Sequence, residues 1–537
     1  MTATPQRPAI FRSFLAMLVL LTGTALCAGP TTAAPLAYRQ AIAEAVAGDA
    51  ALAAFYRDRD YQPIWTSAGD ATRRAALFRA LARASDHGLP LARYDAEGLI
   101  AGFATLTSER QRGALEAQVT ATFLRYARDV QTGLLIPAAV DDGIVREVPL
   151  RDPIVTLTSF VASDPDAFIR ALPPQSLQYV QLRRARMDLD AVVSRGGWGE
   201  TVRASKLQPG DSGDAVIALR DRLTRMGYLR RTAVTEFDGA MQKAVQNFQI
   251  QHGLTPDGVA GDGTIAEINV GAENRLRAVL VAMERMRWMN GISLGKRHIW
   301  VNLPDFTAKI VDDGKVTFET VTVVGMNQHD RRSPEFSDVM EHMVVNPTWN
   351  VPRSITVKEY LPMLQKNPNA VSQLKIVDRR GRVVNRAETD FSQFNARNFP
   401  FSMSQPPSNS NALGLVKFMF PNKWNIYLHD TPSKSLFARE VRAFSHGCVR
   451  LGKPFDFAYA LLAKQSDNPV AEFERHLNSR KETVVPLKQP VPVHLVYFTA
   501  WPSPRGQIEF RRDIYGRDAR VFNALSDAGV ALPDVQG

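Results

Sequence analysis

At 537 residues the chain exceeds what one hydrophobic core supports, and its apolar fraction of 45% suits ordinary folded domains, so about three domains are expected. The formal charge of +11 favours anionic partners. Its basic residues are scattered rather than gathered into a stripe interleaved with aromatics, which speaks against nucleic acid, and no stretch beyond the N-terminus is apolar and long enough to span a bilayer.

Arg7 and Arg12 precede the apolar run 14–21, which passes through Thr22, Gly23 and Thr24 into small residues as far as Ala34. That order reads as a secretory signal peptide over residues 1–34, cleaved between Cys27 and Ala34, rather than a membrane anchor, which needs about 20 consecutive apolar residues. Of the two cysteines, Cys27 leaves with the signal or lies in a loose tail, so the mature chain holds one thiol, Cys448, and no internal disulfide. In an oxidising compartment a lone thiol is a liability unless it is used. A buried, inert cysteine is the alternative on that argument alone.

Residues 35–200 are rich in Ala, Leu and Arg, with helices predicted over 70–84 and 108–126. In the second, Leu115, Val119, Phe123 and Leu124 share one face, so this part reads as an all-α scaffold region without a catalytic cluster. Residues 201–273 form a smaller unit. Val216, Leu219, Leu223 and Met226 make the apolar face of one short helix, ended by Gly227; Met241, Ala244, Val245 and Phe248 make that of another, ended by Gly253. Together with Leu207, Gly210, Gly213, Phe237, Gln249, Leu254, Asp257, Gly258 and Thr264, these residues resemble a three-helix peptidoglycan-binding domain. Most of the matched positions are core and turn residues, so the module could also be a helical spacer. Arg275–Met289 reads as a connecting helix within 274–296.

The period then changes. Strands are predicted over 298–303, 308–311, 318–324 and 343–345, with a hairpin turn at Asp312, Asp313 and Gly314. The pattern lapses over 353–410 into a helical piece at 356–364 and a loop rich in Asn, Ser and Pro. The aromatics Phe391, Phe394, Phe399 and Phe401 suggest a folded lid there. Strands resume at 415–420 and 424–428, a helix follows at 456–463, and 493–498 is a further strand candidate in the extension 466–537.

Two histidines and the cysteine converge on Ile426-Tyr427-Leu428-His429-Asp430-Thr431-Pro432 and Phe444-Ser445-His446-Gly447-Cys448-Val449-Arg450-Leu451. A cysteine attacks as thiolate, and its ordinary pKa near 8.5 calls for a histidine partner. His429 closes a strand well upstream, and His446 can share the face of Cys448 if that segment is extended, so spacing leaves both open as the base. Gly447 lets the backbone approach a substrate carbonyl, with the amides of Gly447 and Cys448, and that of His446, as oxyanion donors. Arg450 offers a planar fork for a carboxylate. A zinc site is a poor alternative, because no second Cys or spaced His completes a four-ligand set.

Ser445-His446-Gly447-Cys448 with Arg450, preceded by a histidine on a strand end, resembles the signature of YkuD-type L,D-transpeptidases. The resemblance extends through Val324-Gly325, Asn346-Pro347-Thr348-Trp349, Pro352, Asn411-Ala412-Leu413-Gly414, Lys417-Phe418, Phe420-Pro421-Asn422 and Tyr427, over 297–465. The whole chain resembles the large multidomain subgroup of the Gram-negative periplasm.

The resemblance implies a mainly-β catalytic domain at 297–465 whose insertion 353–410 acts as a substrate lid. It implies Cys448 as nucleophile on stem tetrapeptides of peptidoglycan, releasing D-Ala, and His429 as base, oriented by the Asp430 main-chain carbonyl. His446 and Gly447 complete the catalytic set, with Arg450, Ser445, Tyr427, Asn411 and Trp349 on the substrate. A diaminopimelate amine as acceptor gives a 3-3 cross-link; water gives carboxypeptidase activity, and a protein acceptor an attached protein. Susceptibility to carbapenems, no cofactor, no metal, and other cell-wall enzymes as partners are implied too. A non-catalytic wall-binding scaffold is the alternative of another class. Where relatives commonly carry a Pro-Gly-Pro turn, this chain has Pro406-Pro407-Ser408-Asn409-Ser410.

Overall fold

A computed structural model describes residues 34–533; the signal peptide reading and Cys27 lie outside the described residues. Among those residues no helix is long and apolar enough to cross a membrane. The N-terminal region is helical and built around Glu109–Thr132, which buries Leu115, Val119, Phe123 and Tyr126. The next unit packs helices Asp214–Arg225, Gly239–Gln251 and Asp262–Ile268 around Val216, Leu219, Val245, Phe248 and Ile265. Gly227 and Gly253 follow the first two helices with φ of +83° and +67°, the left-handed geometry that lets a helix stop.

The catalytic unit is a curled sheet. Its strands are β1 (Arg297–Asn302), β2 (Thr307–Asp312), β3 (Lys315–Gly325), β4 (Phe336–Val345), β8 (Val416–Met419), β9 (Leu428–His429), β10 (Ala443–Ser445), β11 (Val449–Leu451) and β12 (Thr483–Val496). The insertion contributes a separate three-stranded sheet of β5 (Trp349–Asn350), β6 (Lys375–Val377) and β7 (Ser402–Gln405). The large sheet runs β10-β3-β11-β9-β8-β4-β12-β1-β2, and β2 pairs back onto β3, which closes a barrel. Asp313 and Gly314, at φ +47° and +78°, make the expected turn between β2 and β3.

Alternation along each strand sorts the barrel into inside and outside. Ile299, Val301, Met343, Phe418, Leu428, Val449, Leu451 and Val493 fill it. Their neighbours Trp300, Lys417, His429 and Arg450 stand on the outer wall.

Two sequence boundaries move. The sheet does not end at residue 465: β12, from the extension, lies between β4 and β1 and pairs with both. Its end matches the strand candidate 493–498; the prolines Pro486, Pro490 and Pro492 mask the rest in the sequence. All three precede Val493, where the residue-by-residue pairing with the Ile299 end of β1 holds through Val496, so each missing N–H falls where β12 has one strand neighbour rather than two. The connecting helix, Ala272–Trp288, is not a loose linker; it buries Glu284, Arg285 and Arg287. Arg285 pairs with Glu335 beside β4 and, at 3.2 Å, with Asp518 of the C-terminal helix Arg517–Asp527. Arg517 lies 3.5 Å from both Glu335 and Asp141 of the scaffold region.

The insertion has its own core of Trp349, Leu361, Leu364, Ile376, Phe391 and Phe399. Its altered turn is held from two sides. Asn411 Nδ2 donates to the carbonyls of Pro347, Gln405 and Pro406 at 2.9–3.1 Å, and Gln405 Nε2 donates to Ser410 O at 3.0 Å.

Removing one partner of a buried ion pair strands the other charge and costs about 3–5 kcal/mol, whereas an exposed pair contributes under about 1 kcal/mol. Glu335→Ala should therefore lower the thermal midpoint strongly, while Asp166→Ala, which breaks the exposed 2.7 Å pair with Arg79, should leave it within a degree or two. Calorimetry on the two variants checks the contrast.

Candidate active site

The register of three short strands builds the site. β9 pairs in parallel with β11, matching His429 to Arg450, and antiparallel with β8, matching Lys417 to His429. Residues matched across neighbouring strands share a face, so Lys417, His429 and Arg450 form a row on the outer wall. Two residues back along β11 and β9, Cys448 and Tyr427 join the same face, and the Val449 N–H donates to Tyr427 O at 3.1 Å.

His429 is buried, and its Nδ1 donates to the Asp430 carbonyl. In the neutral ring this leaves Nε2 as the basic atom. Burial, then the Arg450 guanidinium and more weakly Lys417, push its pKa down to about 3 against the pull of that carbonyl. Cys448 is half-buried; its Sγ hydrogen-bonds Asn425 O at 3.5 Å, and desolvation pushes the thiol up to about 11 although Tyr427, Arg450 and Lys417 oppose it. The resting pair is thus a neutral thiol beside a neutral imidazole. The Arg450 side chain and Lys417 Nζ make no hydrogen bond or ion pair among the described residues, and Arg450 Nε is buried without a partner. Desolvation lowers both their pKa values. Two cations therefore face the thiol: Arg450, and Lys417, whose Nζ lies 6.0 Å from the Tyr427 ring centroid and which also feels the Glu482 carboxylate.

The nucleophile loop is held from behind. Gly447 has φ +115°, and a Cβ there would meet Ile426 Cδ1 at 3.0 Å. Its carbonyl accepts from Ser333 Oγ at 2.6 Å, and Ser333 Oγ accepts from Gly325 N–H at 3.0 Å. Tyr515, from the C-terminal extension, donates to Gly325 O at 2.6 Å and accepts from Ser333 N–H. His446 meets Glu359 of the insertion at 2.7 Å, and Arg331 joins the same carboxylate oxygen at 2.8 Å. Glu359 sits in a π-helical segment, Thr356–Tyr360, so the insertion is latched to the loop bearing Cys448.

Several sequence expectations change here. The Gly447 N–H is already taken by Ser445 Oγ at 3.1 Å, whereas those of His446 and Cys448 have no partner among the described residues, so an oxyanion would meet these two. Ser445 is buried and also donates to Cys448 O at 2.5 Å; it shapes the loop and does not face substrate. Asn411, fully buried with its amide satisfied, pins the insertion, and Trp349 lies in the insertion's core. Tyr427 remains at the site, its ring 5.6 Å from that of His429. The Asp430 carboxylate accepts from Leu415 N–H at 2.9 Å and Lys434 at 2.5 Å, which fixes the carbonyl that orients His429.

Residues 296–470 match the family described as the L,D-transpeptidase catalytic domain, YkuD. The chain carries a YkuD-type L,D-transpeptidase domain. Residues 212–268 match a family described as "Putative peptidoglycan binding domain", and 50–185 a "Scaffold domain". A Haemophilus influenzae protein named "Putative L,D-transpeptidase" is 36% identical over 225 residues, which take in 42% of this chain and 45% of that one. The chain thus spans under half the length of that relative. Among solved structures, the L,D-transpeptidase of Xylanimonas cellulosilytica (residues 123–326) aligns at 16% identity over 55% of this chain and all of that one, with a TM-score of 0.16. That of Stackebrandtia nassauensis aligns at 15% identity over 56% and 97%, with a TM-score of 0.21.

Around this candidate site, sequence reasoning missed Ser333, Glu359 and Tyr515. All three act across the fold, and a linear motif gives no sign of them. Lys417 was within reach: it alternates with the core residues Val416 and Phe418 on a strand, and a charged outward residue next to a histidine strand was a usable sign.

The pKa directions set a sign. His429 is depressed below its unfolded value of 6.5, so the stability it contributes is present above that pH and lost as pH falls toward about 3. For the thiol, alkylation by iodoacetamide in the substrate-free protein should accelerate through pH 8 to 11 and show no plateau below pH 7. A low-pH plateau would reveal a preformed thiolate–imidazolium pair.

Proposed function

We propose that the chain is a peptidoglycan L,D-transpeptidase acting through a Cys448 thioester outside the cytoplasmic membrane. The observation that carries this reading is the row Lys417–His429–Arg450 beside Cys448: a base with a free Nε2 between two cations, neither of them in an ion pair among the described residues. Stem tetrapeptides carry the carboxylates such cations would bind. The peptidoglycan-binding domain match supports the same polymer as substrate.

The chemistry follows from the geometry. A donor carboxylate binds Arg450, and Lys417 shares the negative charge. That weakens the cationic repulsion which adds to burial in keeping His429 from accepting a proton, so substrate binding raises its basicity. The thiol proton passes to His429 Nε2 as Sγ attacks the carbonyl of the third stem residue, diaminopimelate. The tetrahedral oxyanion meets the amides of His446 and Cys448. Collapse breaks the bond to D-Ala, whose amine takes the proton from Nε2. The amine of a second diaminopimelate then attacks the thioester, gives its proton to Nε2, and displaces the thiolate, which recovers it. The product is a 3-3 cross-link. Water in place of the amine trims the stem; a protein amine attaches that protein.

Purified protein incubated with sacculi should produce 3-3 dimers in the muropeptide profile, and a carbapenem should add its mass to the intact chain. Both should vanish in Cys448→Ala. A persistent adduct in that variant, or none on the native protein, would leave only a wall-binding scaffold. Shortened stems without dimers would make the acceptor water.

His429→Ala should lower acylation by about 10²–10⁴, the worth of a positioned base, and His446→Ala by clearly less. Arg450→Gln should lower kcat/KM by about 10- to 100-fold, the worth of a charge-assisted hydrogen bond. Equal losses in the two histidine variants would overturn the assignment of the base.

A further inference from the structure

On the barrel wall away from Cys448 the chain encloses a second cavity, of about 540 Å³, within the range of small-ligand sites. Its floor is the outer face of β1 and β2, where Trp300 is matched to Lys309 and Asn302 to Thr307. One side is the start of the scaffold helix Leu177–Ser194, and the other is the hairpin of β13 (Ala500–Pro502) and β14 (Ile508–Phe510). Four separate stretches of chain thus contribute to one hollow that the catalytic cleft does not use.

Its chemistry differs from that of the catalytic cleft. Trp300 and Trp501 face each other with ring centroids 5.5 Å apart, tilted by 38°, and neither is fully buried. The charged groups of the lining are matched among themselves. Arg511 pairs with both Asp305 and Glu509, and Lys309 pairs with Glu319 at 3.3 Å. What remains unmatched is neutral: the side-chain amides of Gln178 and Gln181 make no hydrogen bond among the described residues, and Ser503 Oγ is buried without a partner. Indole faces with free amides and a hydroxyl, and no free charge, suit a neutral ligand with apolar C–H faces and many hydroxyl and acetamido groups. They do not suit the charged stem peptide that the catalytic cleft takes.

The neighbourhood points to the source. The hairpin that walls the cavity packs on its other side against the peptidoglycan-binding module: His252 stacks on Phe510 with centroids 5.7 Å apart, Gln251 Nε2 donates to Gln507 at 2.6 Å, and Arg511 Nη1 donates to Gln251 O at 2.9 Å. We propose that this cavity is a saccharide subsite that takes N-acetylated amino sugars of the glycan strand, so the strand is held on one wall of the barrel while its stem peptide reacts on another. The proposal rests on the peptidoglycan reading above.

The test is titration of the full chain with tetra-N-acetylchitotetraose, followed by tryptophan fluorescence and calorimetry. Saturable binding with a change in indole emission is expected. Trp501→Ala should weaken it at least about tenfold, equivalent to 1.4 kcal/mol, and Trp501→Phe by less. Because Trp501 is partly packed, the half-exposed pair Gln178→Ala with Gln181→Ala is the second variant and should also weaken binding several-fold. Carbapenem acylation of Cys448 should be unchanged in all of them. Absence of saturable binding to the native chain, or binding that all these variants leave intact, would overturn the subsite. Loss of acylation in the native chain would instead overturn the catalytic reading.

Discussion

Everything chemical in this protein depends on the register between two very short strands. β9 has two residues and β11 three, yet their pairing decides that His429 and Arg450 stand outside while Leu428, Val449 and Leu451 stand inside. A slip by one residue would put the imidazole into an apolar core and the leucine into the cleft. The register is therefore secured by burial of its alternate residues more than by the few ladder hydrogen bonds such strands can make. The Asp430 carboxylate adds a clamp by binding Leu415 N–H just before β8. This is why the candidate residues can lie on strand ends rather than on long loops and still be held on one face.

The second constraint is ionic and runs through the interior. Glu335 meets Arg285 of the connecting helix and lies 3.5 Å from Arg517 of the C-terminal helix, and Arg517 Nη1 donates to Ser333 O at 3.0 Å. Ser333 in turn holds the Gly447 carbonyl. The nucleophile loop is thus supported by residues from the far end of the chain, and the scaffold region reaches it through Asp141. Buried charges cost desolvation, and apolar packing could supply as much stability. Directional pairing instead fixes one arrangement of scaffold, barrel and extension, which suits a loop whose glycine needs an unusual backbone angle.

Cys448, His429 and Arg450 were legible as candidates because they sit in a local pattern whose chemistry narrows the options, and the β-branched alternation exposed most of the barrel. What the sequence hid has physical reasons. The first part of β12, up to Pro492, was hidden by three prolines that are tolerable where it has only one strand neighbour, while its end at 493–496 was legible as strand. The connecting helix seemed a linker because its arginines and glutamate look solvent-facing until partners distant in sequence neutralise them. Asn411, Ser445 and Trp349 were read as substrate contacts because polar or aromatic residues near a motif suggest contact. A buried amide that satisfies three carbonyls, or a hydroxyl that bridges two backbone groups, has the same one-letter appearance. Local pattern shows which atoms can react; it does not show which polar groups are already used.

The electrostatics of the row bear on how the Cys448 thiol survives. Thiolate is the form that oxidants and stray electrophiles attack, so a thiol held near 11 is largely protected at neutral pH. The same burial that protects it disables His429, whose pKa near 3, with Arg450 and Lys417 adding to the shift, makes it a poor proton acceptor. On the proposed reading, a donor carboxylate in the row removes the cationic repulsion on the imidazolium, while the desolvation that dominates both shifts remains. On that reading, reactivity is tied to carboxylate recognition, and Arg450 and Lys417 are the means by which a correct donor is distinguished from any other amide.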